Sequence, residues 1–478
     1  MTKNLTDKIK EYLKKPIAVA GLTALLAFGG KELYAKDIHV PEEYQAIQSA
    51  IDVSEEGDRV LVAPGEYIIN EPITYRGKNI ILKSEEGSEN TIICLKDFCE
   101  TPWGPYSVIL FVNGETTKAV LDGFTITGAC RAYDGGGIYC NGSSPTIINN
   151  IITENIARRS GGGIACLSAD PLIKSNVISK NMGSAQGGGI YCENSKAEII
   201  DNIIKENSVW GEDGGGIHCR GVSPIIIKGN CIIDNFAYEQ AGGITCIPSG
   251  LEMQSKALIK NNIIARNRSY EHGCGIVCTD CVDIIGNTIV GNSAGYASGG
   301  VLGQEGNLLL NNIIWANTPT DLSGIQLSNV SYCDISQEGF AGIHGNISAD
   351  PLLVNPNPDP NTLDNLINNG DFDGAMKYLT RCFSLQPNSP CIDAGYDEYS
   401  DPDCSRADIG AIYFDRRDPY RDGFIDFKDY AELLRNWQKS GSELEGDIDK
   451  NGTVDYEDLE TLSENWLSVV PVYGGCED

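Results

Sequence analysis

The chain has 478 residues, with 66 aspartates and glutamates against 36 lysines and arginines, and a formal net charge of −30. This balance argues against nucleic acid and anionic membranes as partners, because both are bound through concentrated Lys and Arg. Cations, calcium above all, are the ligands that such acidity favours, although self-repulsion that keeps a secreted protein soluble explains many of these carboxylates equally well.

Residues 1–35 have the pattern of a secretory signal. Lysines precede an apolar run over residues 17–30, which Leu33-Tyr34-Ala35 follows. The run is shorter than the ~20 residues that cross a bilayer, so an uncleaved anchor is the weaker alternative. We expect secretion, to the extracellular space or the cell surface, and no later transmembrane segment.

From Gly135 to Asn317 the sequence repeats about every 26 residues. Each unit contains Gly-Gly-Gly-Ile-x-Cys or a weaker copy, and then Asn-Ile-Ile or a close variant with a second Asn five residues after the first. The apolar residues alternate with a period near two, which predicts strands rather than helices. Seven such rungs predict a coil of parallel strands, because equivalent residues of successive turns then stack about 4.8 Å apart.

This stacking places equivalent residues of successive turns in columns. The first contains buried thiols that act as small apolar core residues: Cys140, Cys166, Cys192, Cys219, Cys246 and Cys278. The asparagines should form hydrogen-bonded ladders and adopt the left-handed conformation at corners. The glycine triplets predict sharp bends, or alternatively room for a ligand. Outside the thiol column, three pairs are disulfide candidates: Cys94 with Cys99, Cys274 with Cys281, and Cys382 with Cys391.

These repeats resemble the right-handed parallel β-helix repeat proteins, a superfamily that includes pectate lyases and polygalacturonases. The resemblance covers about 40–414. It implies that residues 39–67 contain an amphipathic helix, which caps the coil, followed by the first strand. It also implies that the segments 389–395 and 407–411 close the other end of the coil. We therefore expect a mainly β domain over 36–414, with regular rungs at 120–317 and a closing segment at 318–414. The catalytic motifs of the family are not matched.

A second repeat, with a period of 29, lies near the C-terminus, in a module predicted over 415–470. Its oxygen-bearing side chains and Gly423 and Gly452 have EF-hand-like spacing, which suits calcium. The predicted ligands are Asp418, Asp422, Asp426 and Asp429 in the first loop, and Asp447, Asp449, Asn451, Asp455 and Asp458 in the second.

The pair of loops, each followed by one predicted helix, resembles a dockerin, the calcium-dependent module that attaches secreted enzymes to cohesin domains. The first loop departs from the pattern, because Tyr420 stands where a carboxylate or amide is expected. Docking to a cohesin-like protein partner and docking of the module on its own solenoid are both open alternatives at this point.

Outward positions of the cysteine strands give the candidate ligand site. Tyr191, Glu193, His218 and Arg220 should form a square on two adjacent rungs. A basic group for proton transfer and acids that could hold calcium are parts that a polysaccharide lyase requires, so Arg220, His218 and Glu193 are the predicted catalytic residues. Tyr139, Tyr191 and Trp210 are the predicted sugar-binding residues.

The sequence thus predicts a secreted β-helix that binds or cleaves extracellular polysaccharide, as a lyase or a glycoside hydrolase. The alternative is a non-catalytic surface or structural solenoid. In that case Glu193 and Arg220 are a surface ion pair, worth about 0–1 kcal/mol.

Overall fold

The computed structural model describes residues 35–95, 107–221, 224–248, 256–279, 281–401, 405–415, 417–421, 425–441, 444 and 446–466. The predicted signal segment up to Tyr34, the disulfide candidate Cys99 and the predicted ligand Asp422 lie outside these residues. All elements below belong to one compact unit, Asp37–Asp478.

Short strands form a coil in which each turn of the chain passes through up to four sheets. Every strand pairs in parallel with the equivalent strand of the next turn, as the repeat predicts. The twelve-stranded sheet contains, in spatial order, Asp37–Val40, Arg59–Val62, Ile81–Ser84, Val120–Asp122, Thr146–Ile148, Leu172–Lys174, Glu198–Ile200, Ile226–Lys228, Ala257–Lys260, Val282–Ile285, Leu308–Leu310 and Val330–Ser331.

Two further sheets follow along the chain, and the smaller one has a strand in only six of the turns. The eleven-stranded sheet contains Gly65–Ile69, Thr91–Leu95, Thr125–Thr127, Ile151–Thr153, Val177–Ser179, Ile203–Lys205, Cys231–Ile233, Ile263–Ala265, Thr288–Val290, Ile313–Trp315 and Asp334–Ile335. The six-stranded sheet contains Cys130–Asp134, Ile156–Ser160, Met182–Gly183, Ser208–Val209, Phe236–Ala237 and Arg268–Ser269.

The ten-stranded sheet carries the cysteine strands. Its members are Ile73–Thr74, Ile109–Phe111, Ile138–Asn141, Ile164–Leu167, Ile190–Glu193, Ile217–Gly221, Ile244–Pro248, Ile276–Cys278, Val301–Leu302 and Leu322–Ser323. Its register pairs Cys140 with Cys166, Cys166 with Cys192, and so on to Cys278. The predicted column of buried cysteines is confirmed, and the isoleucines two residues earlier pack beside it in the core.

Two ladders of buried asparagines join the turns. The Nδ2 of Asn150 donates to Oδ1 of Asn176 at 3.1 Å, and Asn176 donates to Asn202 at 3.0 Å. The ladders are confirmed, but the predicted left-handed conformation of these asparagines is wrong. The residue before each asparagine has the positive φ instead, as at Asn149 and Glu154, with φ of 56° and 57°. That residue turns the corner, which leaves the ladder amide pointing inward.

The glycine triplets make bends rather than room for a ligand. The first glycine has a positive φ in successive rungs, for example 68° at Gly161 and 76° at Gly214. A Cβ on Gly214 would lie 2.6 Å from the carbonyl oxygen of Ile217. Backbone therefore fills the space where a side chain would stand, which favours glycine at this conformation. Ala241 holds the same place in the next rung, with φ of 48°.

Helices cover parts of the coil. Helix α1, Ile47–Val53, buries Ile47, Ala50 and Ile51 against its N-terminal end, as the resemblance implied. Helices α2, Pro360–Asn368, and α3, Phe372–Phe383, lie in the closing segment. The sequence analysis did not predict α2 and α3. They pack against outward apolar residues of the eleven-stranded sheet, including Val177, Ile203, Cys231 and Ile263.

The C-terminal module contains α4, Phe427–Arg435, and α5, Tyr456–Glu464. Each starts with a capping box, in which Asp426 or Asp455 accepts a backbone hydrogen bond within the first turn. The small core of the module consists of Tyr413, Ile425, Leu433, Ile448, Val454 and Leu462.

Two expectations concern thiols and membranes. Cys274, Cys281, Cys382 and Cys391 are free thiols, so the two disulfides predicted among them are wrong. Cys391 instead donates to Oδ2 of Asp334 at 3.2 Å. Among the residues given above, no helix combines the length and the apolar character that a bilayer span needs.

Candidate functional site

The predicted square of side chains is present on the ten-stranded sheet. Tyr191 pairs with His218 and Glu193 pairs with Arg220 in adjacent strands. The hydroxyl of Tyr191 donates to Oε2 of Glu193 at 2.9 Å, and Nη2 of Arg220 lies 3.2 Å from Oε1 of the same carboxylate. Glu193 therefore joins the phenol and the guanidinium in one polar network.

Half of the square is beneath the surface. Tyr191 and His218 are each 1% exposed, whereas Arg220 is exposed and Glu193 is partly so. Neither ring nitrogen of His218 has a hydrogen-bond partner among the described residues. Burial, and then the nearby Arg220, lowers the pKa of His218 to about 3, so the ring is neutral at physiological pH. His218 is therefore buried although it lies on the outward face of its strand, and the centroid of its ring is 5.6 Å from that of Tyr191.

A second polar group lies on the preceding rungs. Nη1 of Arg159 is 3.6 Å from Oδ2 of Asp134, whose Oδ1 accepts the backbone N–H of Ser160 at 3.0 Å. Burial raises the pKa of Asp134 in spite of Arg159. Tyr139 is half-buried, and burial together with Asp134 raises the pKa of its phenol. The side chain of Asn141 donates to the Tyr139 hydroxyl at 3.3 Å.

An aromatic column, formed by Trp210, Tyr238 and Tyr270, stands on three successive rungs beside the square. Their backbone N–H groups bond the preceding rung at Gly183, Val209 and Ala237 respectively, which aligns the three residues along the coil. Trp210 is 63% exposed and the two tyrosines are also exposed. The rings of Tyr238 and Tyr270 stack, with centroids 5.2 Å apart and an interplanar angle of 12°.

Of this aromatic column, the sequence pattern indicated Trp210 but not Tyr238 and Tyr270. A signal was available, because each of the three aromatic residues follows the second ladder asparagine of its rung by three positions. Apart from Trp210, the predicted catalytic and sugar-binding residues all lie on the cysteine strands, on the other side of the glycine bend.

Carboxylates accompany the aromatic column. Oε2 of Glu212 accepts from Nε2 of Gln186 at 2.5 Å, and Oδ1 of Asp213 accepts the backbone N–H of Gln240 at 3.1 Å. Burial, followed by the charge of Glu239, raises the pKa of Asp213 to about 6. This side of the coil is therefore negatively charged near its aromatic residues.

The second loop of the C-terminal module gathers its predicted ligands. Oxygen atoms of Asp447, Asp449 and Asp458 lie within 4.8 Å of one another, the one such cluster of metal-binding side chains found among the residues described. Asp447 is 5% exposed, and its Oδ1 has no hydrogen-bond partner in the described part of the chain. A buried carboxylate oxygen without a donor fits a hard divalent cation, which binds oxygen ligands.

The remaining predicted ligands have observable partners. Asn451 donates to Oδ2 of Asp449 at 2.9 Å, while Asp455 caps α5. In the first loop, Asp418 is buried and accepts the backbone N–H of Arg421 at 2.5 Å. Asp426 caps α4.

The first loop differs from the second at Tyr420. The backbone N–H of Tyr420 donates to Oδ1 of Asp429 at 2.9 Å. The ring lies under the guanidinium of Arg381, whose Cζ is 3.9 Å from the ring centroid. Nζ of Lys428 is 5.1 Å from the same centroid. This side chain contacts cations of the protein instead of supplying a ligand oxygen.

Two aromatic pairs lie at the surface of the module, and each consists of one exposed ring, Phe427 or Tyr456, and one half-buried tryptophan. The ring centroids of Phe427 and Trp466 are 5.0 Å apart, and those of the equivalent pair, Tyr456 and Trp437, are 5.1 Å apart. Each pair joins one repeat to the other in an edge-to-face arrangement, which stabilises the pairing of the two repeats.

Comparisons with known proteins address the coil. A family model described as the right handed beta helix region matches residues 136–314. Among solved structures, the chain is similar to pectate lyase Pel9A at 17% identity, with a TM-score of 0.50, over 77% of this chain and 90% of that one. No curated protein matches the sequence.

Two weaker similarities involve the catalytic domain of GH87 alpha-1,3-glucanase in complex with nigerose and the N-terminal fragment of gene product 12 of bacteriophage Phi29. The first has 11% identity and a TM-score of 0.31, over 66% of this chain and 71% of that one. The second has 13% identity and a TM-score of 0.22, over 62% and 69%. Together with the family match, the likeness to Pel9A shows that the chain folds as a right-handed parallel β-helix.

Proposed function

We propose that this protein is secreted and binds extracellular polysaccharide along the side of its coil that carries the aromatic column. The observation that carries the proposal is the alignment of exposed Trp210, Tyr238 and Tyr270 on successive rungs. Rungs repeat about every 4.8 Å, so the three aromatic residues form a regular row along the coil. A polymer that lies along the coil can thus meet all three.

The faces of the rings limit how sugars are bound. Because Tyr238 and Tyr270 cover one face of each other, Trp210 presents the largest free ring surface. The carboxylates of Glu212, Asp213 and Glu239 lie near it and disfavour a polyanion. A neutral polysaccharide is therefore the favoured ligand, with the carboxylates available to accept hydrogen bonds from sugar hydroxyls.

Cleavage of the bound polymer is the second candidate function. Asp213 has a pKa near 6, so it can carry a proton at mildly acidic pH beside other carboxylates, the arrangement that acid–base hydrolysis requires. A lyase would instead use the predicted Arg220 and Glu193, with loss of a proton and of the leaving oxygen as a double bond forms. His218 is excluded from direct contact with a ligand by its burial. Without either activity, the coil is a binding or structural solenoid.

We also propose that the second loop of the C-terminal module holds calcium. Asp447, Asp449 and Asp458 would supply ligand oxygens, and the ion would neutralise carboxylates that the fold brings together. Attachment to a cohesin-like protein remains a prediction, for which the exposed rings of Phe427 and Tyr456 offer a surface.

The test is a binding screen with neutral and anionic polysaccharides, in which the products are also analysed. Trp210→Ala should weaken binding by roughly tenfold, which corresponds to about 1.4 kcal/mol and lies in the range of one aromatic contact. Phe427→Ala, an equally exposed aromatic residue on the module, is the matched control and should bind as the wild type does.

Each outcome of the screen has a meaning. Unsaturated sugars that disappear in Arg220→Ala would identify a lyase, and new reducing ends that disappear in Asp213→Asn would identify a hydrolase. Binding without products supports the binding protein. A wild-type protein that binds no polysaccharide in the panel would refute the proposal and leave the structural solenoid.

A further inference from the structure

The C-terminal module is joined to the coil without a linker. The neighbouring residues Tyr413 and Phe414 are both buried, but Tyr413 belongs to the core of the module and Phe414 to the core formed with α2 and α3. The N–H of Phe414 donates to Oδ2 of Asp408 at 2.8 Å, which fixes the backbone at the junction. Two successive side chains are thus held by two different cores.

The first loop of the module contacts the closing segment through Tyr420. This is the position where the second repeat has Asp449, a member of the carboxylate cluster. In its place the Tyr420 ring packs against Arg381 in the last turn of α3. The substitution of a ligand by an aromatic ring therefore replaces a bond to an ion with a cation–π contact to the coil.

The second loop contacts the same segment from its own side. Nζ of Lys450 lies 3.8 Å from Oδ2 of Asp393. Asp447 lines a cavity of about 10 Å³ together with Pro387 and Phe414. The carboxylate with the unpartnered oxygen is therefore at the interface, where its uncompensated charge opposes burial.

We propose that the module is a calcium-dependent clasp on the closing segment of its own solenoid, in which the second loop holds a single divalent cation and Tyr420 of the first loop is the docking residue. The inference rests on the proposed calcium site of the second loop. An ion at Asp447 would offset the buried charge at the interface and so stabilise the docked arrangement. The two repeats would then have different tasks: one binds the ion and the other binds the coil.

The first experiment counts calcium ions. The full-length chain, freed of metal with a chelator, is titrated with calcium by calorimetry and examined by native mass spectrometry. We expect one bound ion in the wild type and two in Tyr420→Asp, which restores the oxygen ligand. Two ions in the wild type, or still one in Tyr420→Asp, would overturn the role of Tyr420 while leaving calcium binding intact. No bound ion at all would overturn both proposals.

The second experiment measures docking by amide hydrogen exchange over residues 413–421. Calcium should slow exchange there in the wild type, and Arg381→Ala should remove this protection and weaken calcium binding. Arg435→Ala is the matched control, because Arg435 pairs with Glu432 on the module and is exposed. If exchange in this segment does not respond to calcium, or if both variants behave alike, the clasp is refuted even where one ion binds.

Discussion

Two outward faces of the same coil differ in what covers them. On the eleven-stranded sheet the outward residues are mostly apolar, and α2 and α3 pack over them. Beside the ten-stranded sheet the outward residues are aromatic and charged, and Trp210 is exposed. The backbone repeats in the same way on both sides, so the choice of outward side chains alone decides which face is sealed and which can meet a ligand.

The largest expected effect separates two residues of one turn, Ile203 on the covered face and Trp210 on the open one. Ile203→Ala should lower the free energy of unfolding by roughly 2–4 kcal/mol, because it leaves a cavity under the helices. Trp210→Ala should change it by less than about 0.5 kcal/mol, as exposed positions usually do. Chemical denaturation of both variants measures this, and equal losses would contradict the assignment of the two faces.

A smaller effect is expected at the bend between the six-stranded and ten-stranded sheets. Gly214→Ala should destabilise the fold by about 1–2 kcal/mol, since alanine pays for a left-handed conformation and its Cβ would meet the backbone at 2.6 Å. Ala241, the equivalent residue of the next rung, has φ of 48° already.

The reverse substitution serves as its control. Ala241→Gly should stabilise the fold by about 0.5 kcal/mol, because relief of the left-handed conformation exceeds the added flexibility of glycine. Thermal unfolding of both variants tests the pair. If Gly214→Ala were neutral for stability and only ligand binding changed, the triplets would serve the ligand rather than the bend.

Features that recur from rung to rung could be predicted from the sequence, whereas features that occur once in the chain were missed. The cysteine column and the asparagine ladders could be derived because one arrangement recurs in seven rungs, and stacking fixes the register. Helices α2 and α3 could not, since which sheet they cover depends on packing between distant segments. Their start signals, Asp359 before Pro360 and Asp371 before Phe372, are nevertheless visible in the chain.

The candidate site was predicted only in part for a related physical reason. Alternation along a strand correctly placed Tyr191, His218, Glu193 and Arg220 on one face. It could not show that two of them are buried, because that depends on their neighbours across the bend. In the C-terminal module, spacing brought Asp447, Asp449 and Asp458 together, but the contact of Tyr420 with Arg381 joins positions 39 residues apart and leaves no periodic signal.

The last expected effect concerns how stability depends on pH on the open face. Asp213 releases its proton near pH 6 when folded and near its ordinary pKa of about 4 when unfolded. Between these values the folded state binds more protons, so stability should fall as pH rises from about 4 to 6 and level off above. Asp213→Asn should flatten this part of the profile. Denaturation at a series of pH values measures the slope, and an unchanged slope in Asp213→Asn would assign the negative character of the open face to other carboxylates.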